Sequence, residues 1–113
     1  MNIDIINDIK EISKILSDEK RIIMLKVMSK YMMCTCHFVE IFESSQPLIS
    51  QNIKKMKDLG IIVEENVSQW TYYKVNKKSK YYNILSKILK ELPKMKGYLE
   101  IVKDNRCEVR KID

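Results

Sequence analysis

The sequence predicts a mainly α-helical domain that carries one small β-hairpin. Apolar residues recur at three- and four-residue spacing over most of the chain, and only 2 Gly and 2 Pro punctuate 113 residues. The β-branched and aromatic residues gather in two short runs with a polar segment between them. With 45% hydrophobic and 32% charged residues, the chain has enough apolar surface to form one core of ordinary domain size. These features argue against an all-β sandwich, a disordered chain, or a catalytic domain joined to a separate regulatory one.

Between Ile3 and Leu16, the positions Ile5, Ile6, Ile9, Ile12, Ile15 and Leu16 define an amphipathic helix whose apolar face needs a partner surface. Ser17-Asp18-Glu19 supplies an N-cap and an acidic first turn. The residues Ile22, Ile23, Met24, Leu25, Val27 and Met28 cover too wide an arc for a surface helix, so this second helix belongs at the centre of the core. Tyr31 to Cys36 reads as a short extended or irregular connector, followed by a short helix from His37 to Phe42 that Ser44-Ser45 interrupts. Ser45 to Gly60 is a capped helix, with a serine cap, proline in the first turn and a terminal glycine. Its apolar stripe is Ile49, Ile53, Met56 and Leu59. The opposite face carries Gln46, Ser50, Gln51, Lys54 and Lys57, short hydrogen-bonding groups followed by positive charge, as a helix entering a groove would. Ile61 to Val63 and Trp70 to Val75 are predicted strands, with Glu64 to Gln69 as the turn. Tyr82, Leu85, Ile88, Leu89 and Leu92 continue at helical spacing to Pro93, and Met95, Leu99, Ile101 and Val102 suggest a second helical piece. The expected organisation is one domain over residues 1–103 and a polar, frayed tail over 104–113 that carries Cys107.

Lys plus Arg total 21 against 15 Asp plus Glu, a net charge of +6, and all but three of the basic residues are lysine. The expected partner is an anion, and the lysine excess suits delocalised attraction to phosphates. Residues 1–10 show no secretory signal and no segment is long and apolar enough to span a bilayer, so a cytoplasmic location without membrane contact is expected. Three cysteines in a reducing compartment are free thiols rather than a disulfide framework. An enzyme is not expected, because the chain has no nucleophile–base–orienter set and no phosphate-binding glycine loop.

Two short helices joined by a serine-containing turn and followed by a hairpin form a winged helix-turn-helix pattern. The blocks Ile15 to Leu25, Ser45 to Lys54, Leu59-Gly60-Ile61-Ile62 and Trp70 to Val75 occur in the order that resembles the ArsR/SmtB family of metal-responsive repressors, over residues 12–92. The resemblance implies a homodimer, built through the N- and C-terminal helices, that binds double-stranded operator DNA without a required cofactor and dissociates when a metal or metalloid binds. Packing of the terminal helices on each other within one chain is the alternative use of their apolar faces. On this reading Ser45, Gln46, Ser50 and Gln51 reach base edges or phosphates, while Lys54, Lys57 and the wing around Gln69 hold the backbone. A merely solvated helix face is the plainer reading. Glu64 and Glu65 depart from the family, which commonly has basic residues there.

The family's arsenic, cadmium and lead sensors carry a Cys-x-Cys motif at the start of the first helix of the helix-turn-helix, where this chain has Cys34-Thr35-Cys36. On a regular helix two such thiols point about 200° apart, so chelation requires the irregular connector or a distorted first turn. The helix N-terminus and nearby lysines are expected to favour thiolate. The arsenic pattern's third cysteine falls at Val39, leaving Cys107 as the substitute third ligand or as an unrelated tail residue. Three thiolates suit trivalent arsenic or antimony, whereas cadmium or lead usually gains a further ligand. Arsenite or antimonite is therefore the expected inducer ahead of cadmium or lead. His37 is either a further ligand or a surface or capping residue, and no histidine follows it to build the family's second metal site for zinc, nickel or cobalt. Two alternatives remain open: a thiol redox switch using the same cysteines, and a protein-interaction module whose helix-turn-helix binds no DNA.

Overall fold

In the computed structural model, residues 3–112 are described; the first two residues of the expected domain and the last residue of the expected tail lie outside the described residues. Helix α1 (Ile3–Leu16) buries Ile12 and Ile15 and leaves Ile6 and Ile9 exposed. Asp18 caps α2 (Glu19–Met28), its carboxylate accepting from the backbone N–H of Lys20 at 2.8 Å and of Arg21 at 3.3 Å. Met24, Leu25 and Met28 are completely buried, which makes α2 the central helix its wide apolar arc predicts.

The expected connector is shorter than the sequence suggests. Strand β1 (Tyr31–Met32) leads directly into α3 (Thr35–Phe42), so the helix starts two residues before His37. Glu43 ends α3 in the left-handed region (φ 48°), and Ser45 caps α4 (Gln46–Asp58) by accepting from the Leu48 N–H at 3.4 Å. Gly60 follows α4 at φ +82°, a conformation that glycine adopts without steric cost.

The hairpin consists of β2 (Ile62–Val67) and β3 (Trp70–Val75), paired antiparallel from Ile62↔Val75 to Val67↔Trp70. The turn is therefore Ser68-Gln69 alone, not Glu64 to Gln69. Glu64, Glu65 and Asn66 are polar because the outer part of the hairpin projects into solvent, and all three are exposed while keeping strand partners. Ser68 carries the positive φ of 58° at the first turn position, as a type II′ hairpin requires.

Helices α5 (Tyr82–Lys90) and α6 (Lys96–Ile101) are separated at Pro93. The tail is not frayed. Strand β4 (Arg110–Lys111) pairs antiparallel with β1, Tyr31 opposite Lys111 and Met32 opposite Arg110. The Ile112 N–H donates to the Lys30 carbonyl at 2.9 Å, the Tyr72 hydroxyl donates to the Glu108 carbonyl at 2.6 Å, and Cys107 is fully buried. Those long-range partners hold a segment too polar to order itself. The whole is a winged helix-turn-helix: α3 and α4 with the β2–β3 wing, and further helices on either side in sequence. Among the described residues no helix is long and apolar enough to cross a membrane.

One buried charge ties the layers together. Arg21, 7% exposed, donates from Nε to the Ile15 carbonyl at 2.9 Å, and from its two terminal nitrogens to the Asn52 side-chain oxygen at 2.8 Å and the Lys14 carbonyl at 3.3 Å. It thus satisfies the last carbonyls of α1 and holds α4 through Asn52. Arg21→Ala is expected to lower stability by about 3 kcal/mol, because several buried acceptors lose their donor together. Chemical denaturation checks this, and a loss below about 1 kcal/mol would mean that water replaces the guanidinium.

Candidate metal centre and nucleic-acid interface

The three cysteines meet where the start of α3, the wing and the C-terminal segment converge. Cys34 is the N-cap of α3 in an extended conformation (φ −92°, ψ 159°), and Cys36 lies in the first helical turn. That change of conformation between them lets thiols two residues apart converge, as the sequence required. The docked tail delivers Cys107, and the three sulfur atoms lie within 4.8 Å of one another. Against the expectation of three free thiols, Cys34 and Cys107 are joined as a disulfide with their Cα atoms 7.0 Å apart, because the docked tail brings Cys107 to the cap of α3, and only Cys36 keeps a free thiol. Cys34 and Cys107 form one apolar cluster with Met32 and Tyr72, against which Trp70, Val67 and Cys36 pack.

Two polar residues hold this arrangement. The Cys34 N–H donates to Nδ1 of His37 at 2.8 Å, and Nε2 of His37 lies 2.5 Å from the Cys107 carbonyl. A carbonyl can only accept, so the imidazole is the Nε2–H tautomer and is held neutral, with burial pulling its pKa below the usual histidine value. His37 is thus a capping residue, fully buried rather than at the surface, and its nitrogens are engaged by the backbone of two cysteines. The second residue, Asn105, was not anticipated. Its side-chain oxygen accepts from the Cys107 N–H at 2.9 Å and from the Cys36 thiol at 3.4 Å, while its amide donates to Glu40 at 3.0 Å. An Asn two residues before a Cys in a polar tail is the local signal for such a side-chain turn.

The expected activation of the thiols is corrected at Cys36. Burial pushes its pKa up, and Glu40, not a lysine, is the charge that adds to the rise. Hydrogen bonds from the backbone N–H groups of His37 and Cys36 at the helix N-terminus act in the opposite direction without prevailing.

The other predicted site residues lie on α4 and the wing. Gln46, Ser50, Gln51, Lys54 and Lys57 are exposed on one side of α4, while Ile49, Ile53 and Met56 face the core. Ser45, also exposed, caps the helix, and Gln69 stands exposed in the wing turn. A surface groove of about 290 Å³ brings Ser50, Lys54 and Lys57 together with Tyr73 and with Thr35, the residue between Cys34 and Cys36. Both of these lysines are paired within the chain: Lys54 with Asp58 at 2.8 Å, and Lys57 with Glu64. Glu65 lies 3.7 Å from Lys74 across the hairpin. Finally, Met33 and Tyr73 exchange backbone hydrogen bonds of 3.0 and 2.8 Å, joining the residue before Cys34 to the wing.

A winged helix-turn-helix whose first helix is capped by a cysteine of a three-sulfur cluster is a regulator-type fold. The family model described as "Bacterial regulatory protein, arsR family" matches residues 18–63. The Bacillus subtilis arsenical resistance operon repressor is 36% identical over 64 residues, covering 56% of this chain and 61% of the relative. An arsenic resistance transcriptional regulator of Pseudomonas putida is 31% identical over 64 residues, covering 56% and 50%. An uncharacterized HTH-type transcriptional regulator of Methanocaldococcus jannaschii is 30% identical over 64 residues, covering 56% and 72%. The chain belongs to the ArsR family of transcriptional regulators, which are not enzymes. It spans 61% and 50% of the lengths of the first two relatives, and the family match takes in Cys34 and Cys36 but ends before β3 and Cys107.

Proposed function

We propose that this chain is a metalloid-responsive transcriptional repressor that binds operator DNA as a homodimer and is released when arsenite or antimonite binds Cys34, Cys36 and Cys107. The observation that carries this reading is the convergence of three sulfur atoms within 4.8 Å at the cap of α3. Arsenous acid, As(OH)₃, condenses with three thiols to give As(SR)₃ and three molecules of water. No net proton is released, so the protonated Cys36 thiol is a competent reactant. The relatives named for arsenical resistance support the same class of inducer.

Operator binding is assigned to Gln46, Ser50 and Gln51 at base edges and to Ser45, Lys54, Lys57 and Gln69 along the backbone. The exposed Ile6 and Ile9 on α1, with Ile88 on α5 and Ile101 on α6, support a dimer through the N- and C-terminal helices. Coupling follows from shared residues: a ligand gripping Cys34 and Cys36 acts on the turn holding Thr35, which borders the groove of Ser50, Lys54 and Lys57. Because Glu64 occupies Lys57, Glu64→Gln is expected to tighten non-specific DNA binding several-fold and steepen its log–log salt slope by about 0.9, one additional phosphate contact. An unchanged slope would remove Lys57 from the interface.

The disulfide between Cys34 and Cys107 favours a second reading, in which two thiols give two electrons and two protons to an oxidant and the bond itself alters DNA binding. Trp70, the chain's single tryptophan, packs against the sulfur cluster and reports on both. Titrating the reduced protein with arsenite should change Trp70 fluorescence with a one-to-one endpoint, and Cys107→Ser should weaken that binding at least tenfold. Binding unaffected by Cys107→Ser would refute the three-thiol site, and a fluorescence response to oxidant alone would favour the redox reading.

A further inference from the structure

We infer that the face formed by the end of α2, the start of α6 and the β1–β4 ladder is a binding site for a small amphipathic anion, with a phosphate or carboxylate head on an apolar body. A cavity of about 280 Å³ opens there, just below the small end of the range of roughly 300–1,000 Å³ that ligand pockets occupy. Its rim carries Lys26, Lys30, Lys94, Lys96 and Lys111, and no acidic residue lines it. None of these five lysines takes part in an ion pair among the described residues, although the Nζ of Lys26 donates to the Leu89 carbonyl at 2.9 Å.

The C-terminal end of α2 favours cations and accounts for Lys26 and Lys30. It does not account for Lys94, Lys96 and Lys111, which arrive from the segment after Pro93, from α6 and from β4. Five lysines line one cavity with no carboxylate among the lining residues, and a bound anion would balance their charge, that of Lys26 acting beside its bond to the Leu89 carbonyl. The walls are apolar: Val27, Tyr31, Met95 and Leu99. An inorganic ion would leave them uncovered, whereas an acyl or aryl chain below an anionic head meets both parts of the lining. Lys111 reaches the cavity because β4 pairs opposite Tyr31 in β1. A ligand held there therefore stabilises the same docked tail that carries Cys107.

The test is calorimetric titration of the reduced full chain with octyl phosphate below its micellar concentration, with inorganic phosphate, and with octanol. Octyl phosphate is expected to saturate at one per chain, inorganic phosphate to bind at least tenfold more weakly, and octanol to show no saturable binding. The double variant Lys94→Gln/Lys96→Gln should lose at least tenfold in octyl phosphate affinity, while Lys103→Gln, outside the cavity, should not. Equal affinities for the two phosphates, or equal losses in both variants, would reduce the site to diffuse surface charge and overturn the proposal. So would absence of octyl phosphate binding together with weaker operator DNA or anionic vesicle binding in Lys94→Gln/Lys96→Gln, which would assign the lysines to a polyanion or a membrane.

Discussion

Cys36→Ser is expected to retain operator affinity within about twofold and to lose release by arsenite, a difference set by a coupling of ~1–3 kcal/mol or ~5–150-fold in affinity. The reasons for the two halves are separate. Serine keeps the size of the side chain and the helical turn, and Cys36 contributes no cap to α3, since the imidazole of His37 bonds the Cys34 N–H. The groove-facing side of α4 is therefore untouched. A hydroxyl in place of the thiol removes one of three soft donors, and trivalent arsenic left with two thiolates binds more weakly and no longer ties the first turn of α3 to the tail. Operator anisotropy titrated with arsenite reads both quantities. Normal release from Cys36→Ser would exclude this thiol as a ligand.

Cadmium and arsenite should part company in their dependence on pH. Burial holds the Cys36 thiol protonated at neutral pH, so a divalent cation that takes it as a thiolate must expel its proton. Cadmium affinity should then rise by at least about tenfold per pH unit between pH 7 and 8, one decade for each proton released. The condensation of As(OH)₃ with a protonated thiol releases water and no proton, so Cys36 adds no pH dependence to arsenite affinity over the same interval. His37 does not confuse the comparison: burial lowers its pKa, and it stays neutral throughout this range. Competitive titration in matched buffers measures both slopes. A cadmium affinity that is flat over this interval, or an arsenite affinity that falls by about a decade per pH unit, would contradict a protonated Cys36 among the ligands.

The parts of this molecule that could be read from the sequence are those whose signals are local. Helix α4 announced itself through Ser45, Pro47 and Gly60, each answering a backbone requirement within one turn. The central position of α2 followed from apolar residues on every side of it. The wing was misread in extent, since Glu64 to Asn66 have loop-like composition and their strand character comes from pairing with Thr71 to Tyr73. Strand β4 was illegible for a related reason. Two charged residues, Arg110 and Lys111, carry no strand signal, and only the partner Tyr31-Met32, the Tyr72 hydroxyl and the seat of Cys107 order them. At the sulfur cluster, the cysteines were legible as residue types with a known appetite for soft ligands. The cap that His37 gives Cys34 was one of the readings its sequence allowed, but its bond to the Cys107 carbonyl and the bond of Asn105 to Cys36 were not legible, because each joins residues about seventy positions apart.

The most direct test is the affinity of the reduced protein for DNA from its own promoter, with and without saturating arsenite, in wild type and in Cys107→Ser. Arsenite is expected to weaken wild-type binding by ~5–150-fold and to leave Cys107→Ser at its arsenite-free affinity. DNA affinity indifferent to arsenite in the wild type, or full release from Cys107→Ser, would contradict a three-thiol inducer site coupled to the operator.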